Sequence, residues 1–516
     1  MPTRLGSLPA TDERSAIIEP GNGFISYAEL DRLADAVADR LRAHRLRPGA
    51  RVGLYLQRST DAIAAMLGTL RAGYAYVPVD PRAPVDRIAA SHADCRVQLT
   101  LVEARFAQAY ADAMARVGWQ PLIHAVGEPR LGRALLDWTA ADDVRDVPGV
   151  AADRALTSDI ACLLYTSGTT GRPKAWLMSR RAIEAHASWC HALLSPSRDD
   201  VFANHAQFSF GMSLFDIYSS LGCGATLVLV PEEARQHATR IVELLAHERV
   251  TIWFSGSTAL SLIGQVPDLE TRDLSALRAV AFAGDVFPLR QLSTLRQRLR
   301  HPRYFNFYGS TETNVALFYE LPEASTLEEP PPIGRPCAHY EARVATESGG
   351  DAPAGTSGEL QLRGAGLTSG YWNQEDSSER VCAAADGGEP WFRTRDLVAQ
   401  LPTGDFRYMG RLGRMIKLRG YRVEPGEIES RLYEHPSIRE AGVVPVEGAQ
   451  GLELVAHIRT ADDEGLSTVA LKEFCAVKLP PYMVPARFQF HEQLPRTSSG
   501  KIDLQQLAVR RDASTP

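Results

Sequence analysis

A chain of 516 residues is longer than a single hydrophobic core ordinarily supports, so two or three domains are expected. Its 45% hydrophobic and 23% charged residues are those of a globular protein. A formal net charge of −6 argues against broad affinity for nucleic acid, which needs a concentrated basic surface. No apolar run approaches the roughly 20 residues of a membrane span, and the opening MPTRLGSLPATDERS lacks the apolar core of a secretion signal, so a cytoplasmic protein is expected. The seven cysteines (Cys95, Cys162, Cys190, Cys223, Cys337, Cys382 and Cys475) form no CxxC pair and suit neither zinc nor a disulfide framework; they read as buried, reduced thiols. Lysine occurs only at 174, 417, 472, 478 and 501, so each invites a reason.

In chain order, YAELDRLADAVADRLRAH places Leu30, Leu33, Ala34, Val37 and Leu41 at helical spacing. RVGLYLQ reads as a short buried strand. STDAIAAMLGTLRAG follows as a helix capped by Ser59 or Thr60 and stopped at Gly73, and YAYVPVDP is a strand ended by proline. The same alternation recurs at ATLVLV, RIVELLAHERV, TIWFSG, LRAVAFAG and PLRQLSTLRQRLR. It predicts an α/β fold in which helices cover mostly parallel β-sheets. After PPPIGRP, short strands between Gly- and Pro-rich turns suggest a β-rich subdomain over about 330–410. Glycines punctuating MGRLGRMIKLRGY mark a boundary, giving an N-terminal core of 1–410 and a small α+β domain of 411–516.

Three segments carry candidate chemistry. In LLYTSGTTGRPK a strand runs into a loop of hydroxyls and glycines that ends in lysine. Such a loop can aim several N–H groups at phosphate oxygens, with Ser167, Thr169 and Thr170 as hydroxyl donors and Lys174 as a cation. It is not a Walker A loop, because Lys174 follows Gly171 by three and Ala175 replaces the Ser or Thr. In FNFYGSTETN, Glu312 stands at a Gly/Thr turn and can offer oxygen ligands to a hard cation. In FRTRDL, Asp396 can accept hydrogen bonds from two hydroxyls. Taken singly, each also reads as a solvated surface turn.

Taken together and in order, YTSGTTGRPK, FNFYGSTETN, GELQLRGAGLTSGYWN, WFRTRDL, GRLGRMIKLRGYRVEPGEIE and LPRTSSGKID resemble the successive motifs of the adenylate-forming enzyme superfamily. AYVPVDP, KLRGYRVEPGEIE and SSGKID are nearest to the adenylation domains of nonribosomal peptide synthetases. The resemblance implies a large N-terminal domain and a small mobile C-terminal domain turning on a hinge near 411–414. It also implies ATP and Mg²⁺ as cofactors, an acyl-adenylate intermediate, and transfer of the acyl group to the phosphopantetheine thiol of a carrier protein. By the same resemblance Thr166, Ser167, Gly168, Thr169, Thr170, Gly171 and Lys174 form the phosphate loop. Glu312 is the magnesium ligand, Thr311 contacts the α-phosphate and Tyr308 stacks on adenine, with Gly309 beside it. Gly284 and Asp285 belong to the nucleotide site, Asp396 clamps the ribose, Arg411 contacts the nucleotide, and Lys501 bridges the carboxylate and the α-phosphate. Lys417 and Gly420 begin the segment that faces the main domain in the second half-reaction. A chain that closes shortly after Lys501 suggests a free-standing enzyme serving a separate carrier. A CoA ligase and a non-catalytic binding protein are the competing readings.

The chain departs from the family pattern in places. Arg395 and Gly413 replace the usual Gly and Asp, Arg180 stands where His is usual, and Ala283-Gly284-Asp285 replaces Gly-Gly-Glu. The departure that bears on the substrate is at 210–213. The amino-acid branch has F-D-x-S there, and its aspartate pairs with the substrate's α-ammonium. This chain reads Phe210-Gly211-Met212-Ser213, with Asp216 matching a second, structural acid. The carried-over pocket is Phe210, Gly211, Met212, Phe215, Phe254, Ala281, Ala283, Phe307, Val315 and Ala316, apolar apart from Lys501. An apolar carboxylic acid without an α-ammonium is therefore expected (a hydroxy, aryl, aliphatic or β-amino acid), because a buried ammonium would lack its partner. An α-amino acid held by carbonyls and water remains the alternative.

Overall fold

The computed structural model describes residues 5–9, 12–128, 131, 135, 159–166, 174–284, 286–323, 327–346, 349–353, 355–367, 370–372, 381–382, 389–412, 415–448, 451–460, 466–496 and 502–509. The local signals in the sequence place the first elements. Tyr27–Ala43 is a helix closed by a capping box, in which the Ser26 hydroxyl accepts from the Glu29 N–H and the Glu29 carboxylate accepts from the Ser26 N–H. Thr60–Arg71 is a helix capped by Ser59, whose hydroxyl accepts from the Ala62 N–H at 3.2 Å.

These helices lie against two large sheets. One has six strands in the order 122–126, 99–103, 51–55, 75–78, 160–166 and 174–179. The other has nine, ordered 335–336, 314–320, 303–310, 279–283, 252–256, 201–204, 226–229, 15–19 and 23–26. Pairing is parallel through the centre of both; the nine-stranded sheet is antiparallel at both ends and the six-stranded sheet only at its 160–166 and 174–179 end. One continuous core joins the sheets through residues such as Leu30, Ile63, Met66, Ile217 and Leu227. The hydroxyls of Tyr76 and Tyr218 meet inside it at 2.9 Å. The β-rich segment forms a five-stranded sheet from 341–345, 357–363, 381–382, 391–400 and 406–411.

The C-terminal residues build their own core. A hairpin of Ile416–Leu418 and Tyr421–Val423, a sheet of Ile438–Gly448, Gly451–Thr460 and Arg487–Phe490, and the helices Pro425–Tyr433 and Thr468–Ala476 bury Val423, Ile428, Leu432, Ala456 and Leu471 together. The architecture is thus a large sheet-rich α/β domain followed by a small α+β domain. Cys95, Cys162 and Cys190 are free and buried, and burial pushes each thiol up to about 12, so they are inert apolar fillers. Among the described residues no helix is long and apolar enough to cross a membrane.

Candidate active site

The site forms at the C-terminal ends of the central strands of the nine-stranded sheet, the usual ligand edge of such sheets. The strand Arg303–Ser310 turns back through Thr311-Glu312-Thr313 into Asn314–Glu320, and a register shift between Tyr308 and Gly309 makes the bend. Gly309 is obligatory there: a Cβ would lie 1.5 Å from the Asn314 carbonyl oxygen. The Thr313 hydroxyl accepts from the Ser310 N–H at 3.0 Å, and the Tyr340 hydroxyl donates to the Thr313 carbonyl at 2.6 Å. These bonds fix the turn and hold the Glu312 carboxylate inward, 1% exposed. The carboxylate accepts from the Tyr371 hydroxyl at 3.3 Å and is ion-paired with the Arg422 guanidinium from the small domain. Burial opposes the charge of Arg422, but Glu312 outweighs it and the net shift is upward.

Among the described residues no cluster of three His, Cys, Asp or Glu occurs. A dedicated metal cage is therefore not built by them. The donor set present, one buried carboxylate already matched to a cation, fits Mg²⁺ held jointly with phosphate oxygens.

On the side expected to face the nucleotide, the Tyr308 hydroxyl donates to Asp396, which is 1% exposed. The Asp396 N–H donates to the Thr394 hydroxyl at 3.0 Å, and strand register sets Arg411 opposite Asp396. Arg395, where the family has glycine, adopts the left-handed conformation at φ 62°. Its N–H donates to Glu359 at 3.0 Å and its carbonyl accepts from the Leu412 N–H at 2.7 Å, which hold that backbone. Thr166 pairs with Lys174 across an antiparallel strand pair, so the signature loop joins two strands rather than a strand and a helix. Lys174 lies 5.8 Å over the Tyr371 ring, and Tyr371 bonds Glu312. Ser167, Gly168, Thr169, Thr170, Gly171, Asp285, Gly413 and Lys501 lie outside the described residues.

The small domain presents its Ile416–Val423 hairpin to this site. Lys417 donates to the Gly309 carbonyl at 3.1 Å and lies 5.2 Å over the Tyr308 ring. Gly284, at φ +100°, meets Gly420 so closely that a Cβ would lie 2.9 Å from the Gly420 Cα. Tyr421 stacks on Tyr482 at 4.0 Å and reaches Phe210 at 5.5 Å. Arg87 pairs with the buried Glu427. The residues just after Lys501 pack elsewhere, with Ile502 and Leu504 against Gly442 of the small domain's own sheet. Arg422, Tyr371 and Tyr421 were not singled out from the sequence. Arg422 and Tyr421 stood in RGYRVEPGEIE without a role, and only the docked hairpin supplies one.

The residues expected to line the acyl pocket converge from one helix and four strands. Gly211 precedes the helix Met212–Cys223 with φ −54° and ψ −29°, ordinary for any residue. It is buried, yet a Cβ there would meet nothing within 4 Å. Neither backbone nor packing requires glycine, so the gap is enclosed open space. Phe215, one helical turn on, packs against Phe254 and Phe307. Ala281 and Ala283 lie beside Phe254 and Gly256 in strand register, and Val315 and Ala316 are buried on the strand that pairs with that of Phe307. Met212 is half-buried and packs on the same core, and Phe210 is half-buried at the mouth. Asp216 is turned away into the core. It accepts from the Asn204 side-chain N–H at 3.0 Å, and burial raises its carboxyl well above the ordinary range.

A two-domain α/β protein with this turn, buried aspartate and docked hairpin is of the adenylate-forming class, and the chain belongs to the AMP-binding enzymes. It matches that family over residues 8–372 and the AMP-binding enzyme C-terminal domain over 427–501. It is 34% identical to an L-proline--[L-prolyl-carrier protein] ligase of Streptomyces coelicolor, covering 95% of this chain and 92% of that one. It is 33% identical to a Pseudomonas fluorescens protein of the same description, covering 96% of each. Among solved structures it is similar to the amide bond synthetase McbA of Marinactinospora thermotolerans, with a TM-score of 0.85, 25% identity, and coverage of 98% of this chain and 99% of that one.

Proposed function

We propose that the protein joins a carboxylic acid to ATP as an acyl-adenylate, releasing pyrophosphate, and passes the acyl group to the phosphopantetheine thiol of a carrier protein. In the first step a carboxylate oxygen attacks the α-phosphorus and the bond to the pyrophosphate oxygen breaks. In the second the thiol sulfur attacks the acyl carbon, loses its proton, and AMP leaves with the bonding electrons. When bound at Glu312, Mg²⁺ would neutralise phosphate charge. Thr311, Lys174 and Lys501 would position the reacting anions, with Tyr308 at the base and Asp396 at the ribose.

The observation that carries this reading is the Ile416–Val423 hairpin seated on the Glu312 turn, with Lys417, Gly420 and Arg422 at the site while the chain beside Lys501 packs away from it. That is the arrangement suited to the second step, with residues 1–410 and 411–516 as the two bodies and the turn between them near 411–414. The relatives named as carrier-protein ligases support the thiol acceptor. The acid is one without an α-ammonium, because Gly211 leaves open space where a carboxylate would stand and Asp216 is buried in the core and engaged by Asn204.

The test is pyrophosphate release with ATP and Mg²⁺ over a panel of α-amino, β-amino, hydroxy, aryl and aliphatic acids, followed by mass detection of the acylated carrier protein. We expect release with a non-α-amino acid and loading of the carrier. Silence across the panel overturns the enzyme reading. Transfer to free CoA alone overturns the carrier reading, and a preferred ordinary α-amino acid overturns the reading of Gly211.

A further inference from the structure

The rings expected to line the acyl pocket touch one another. Phe215 and Phe254 have centroids 5.0 Å apart and Phe254 and Phe307 5.3 Å, both edge to face, and Phe215 and Phe307 are tilted at 5.8 Å. The three are 0%, 1% and 2% exposed. An aliphatic chain passing between two walls needs a van der Waals contact of about 3.5–4.0 Å on each side, so the walls must stand about 7–8 Å apart. No pair of these rings leaves that space. Behind them Trp189 packs on Phe307 at 5.2 Å and His186 on Phe215 at 5.8 Å, so the closure is backed by further rings.

Above this floor the walls are small. Gly211 lies one helical turn before Phe215, on the same face. Gly256 lies two residues after Phe254 on its strand, hence on the same sheet face, with Ala283 opposite it in register. At both glycines a Cβ would meet nothing within 4 Å. The two openings therefore lie over two rings that touch, which describes one shallow chamber with a phenyl floor.

Building on the reading under Proposed function, we propose that the chamber takes a short acid, of propionate to butyrate length and tolerant of a small neutral group on its α-carbon, and that Phe215, Phe254 and Phe307 set this limit. Aryl acids and medium chains, which that reading leaves open, are excluded. The chamber recognises shape alone, because its described walls carry no charge.

The experiment is pyrophosphate release, as kcat/KM, over the straight-chain acids from acetate to octanoate, with 2-hydroxybutyrate, benzoate and L-proline alongside. Wild-type enzyme is expected to peak at propionate or butyrate and to fall at least about a hundredfold by hexanoate and benzoate. Phe254→Ala and Phe307→Ala each move the optimum to longer acids, and Phe254→Leu does so by less if the alanine variants fold poorly. Gly211→Val fills the chamber and lowers kcat/KM for propionate and butyrate at least tenfold, while the thermal shift on adding ATP persists. A wild-type optimum at hexanoate, octanoate or benzoate overturns the proposal and shows that the rings part toward His186 and His339. A flat profile, or an optimum that does not move in the Phe variants, also overturns it. Failure of the underlying reading looks different: no acid of any length releases pyrophosphate, or L-proline is preferred.

Discussion

Arg422→Ala separates the two half-reactions. In the docked arrangement Glu312 is 1% exposed and Arg422 is the cation that matches it, itself with 11% of its side chain exposed. Removing one partner of a buried ion pair costs about 3–5 kcal/mol, because the other charge stays desolvated. The loss applies to the docked hairpin, since a withdrawn hairpin leaves Glu312 to water or a metal. At about 1.4 kcal/mol per tenfold, the docked population falls by at least about a hundredfold. Acyl transfer to the carrier thiol, measured in single turnover from preformed acyl-adenylate, is expected to slow by that order. Pyrophosphate release in the absence of carrier should stay within about twofold, and a distance-label pair across the domains should show the docked population lost. An equal fall in both half-reactions would refute the reasoning and make Arg422 a residue of the fold.

Gly211→Asp should meet no steric clash, because the added side chain enters open space, so its urea midpoint should fall only by the cost of the added carboxylate. It should lose at least about tenfold in kcat/KM for the native acid through a buried, unpaired carboxylate. Unchanged turnover contradicts this. Gly309→Ala, with its Cβ 1.5 Å from the Asn314 carbonyl oxygen, should lose more than about 3 kcal/mol in urea unfolding or fail to accumulate as folded protein. His186 is held neutral: burial first, then His339, pushes its pKa from 6.5 down to about 3. As pH falls below 6.5 the unfolded chain takes up a proton that the folded chain refuses. The associated stability is therefore full above 6.5 and lost progressively toward about 3. His186→Leu should remove about 2 kcal/mol of the fall in stability between pH 6.5 and 5, read from urea midpoints. Parallel slopes for the two proteins would refute it.

The helix and strand alternation was legible because its signals are local. Ser59 marks a helix start directly before the element it caps. Sheet order was not legible, because Ser15–Glu19 pairs with Thr226–Leu229, far away in the chain, and no local pattern encodes that choice. The same reason hides the Glu312–Arg422 pair and the triad of Phe215, Phe254 and Phe307: each residue reads as an ordinary member of its own element until tertiary packing joins them. Gly211 lay between these cases. Its departure from F-D-x-S posed the question, but only the backbone angles and the empty space around it exclude a structural need for glycine. Arg395 shows the converse, since its left-handed φ of 62° explains why glycine is usual there and shows that this chain pays strain to keep arginine.

A chamber whose described walls carry no charge also limits what selectivity the acid site can provide. Each methylene too many or too few in an apolar pocket changes kcat/KM by about 10–200-fold, but an isostere of the right size is poorly rejected. The phenyl floor therefore discriminates by length, and acids of equal length that differ in an α-hydroxyl or a methyl compete. The acceptor must supply the rest. Its approach is framed by the surfaces that meet at the mouth, Phe210 from the large domain and Tyr421 stacked on Tyr482 from the small one. Tyr421 is thus placed where it can sense both the loaded chamber and the docked hairpin. Changes at Tyr421 should consequently alter the rate of thiol transfer while leaving the length preference of pyrophosphate release in place, whereas changes at Phe254 or Phe307 do the reverse.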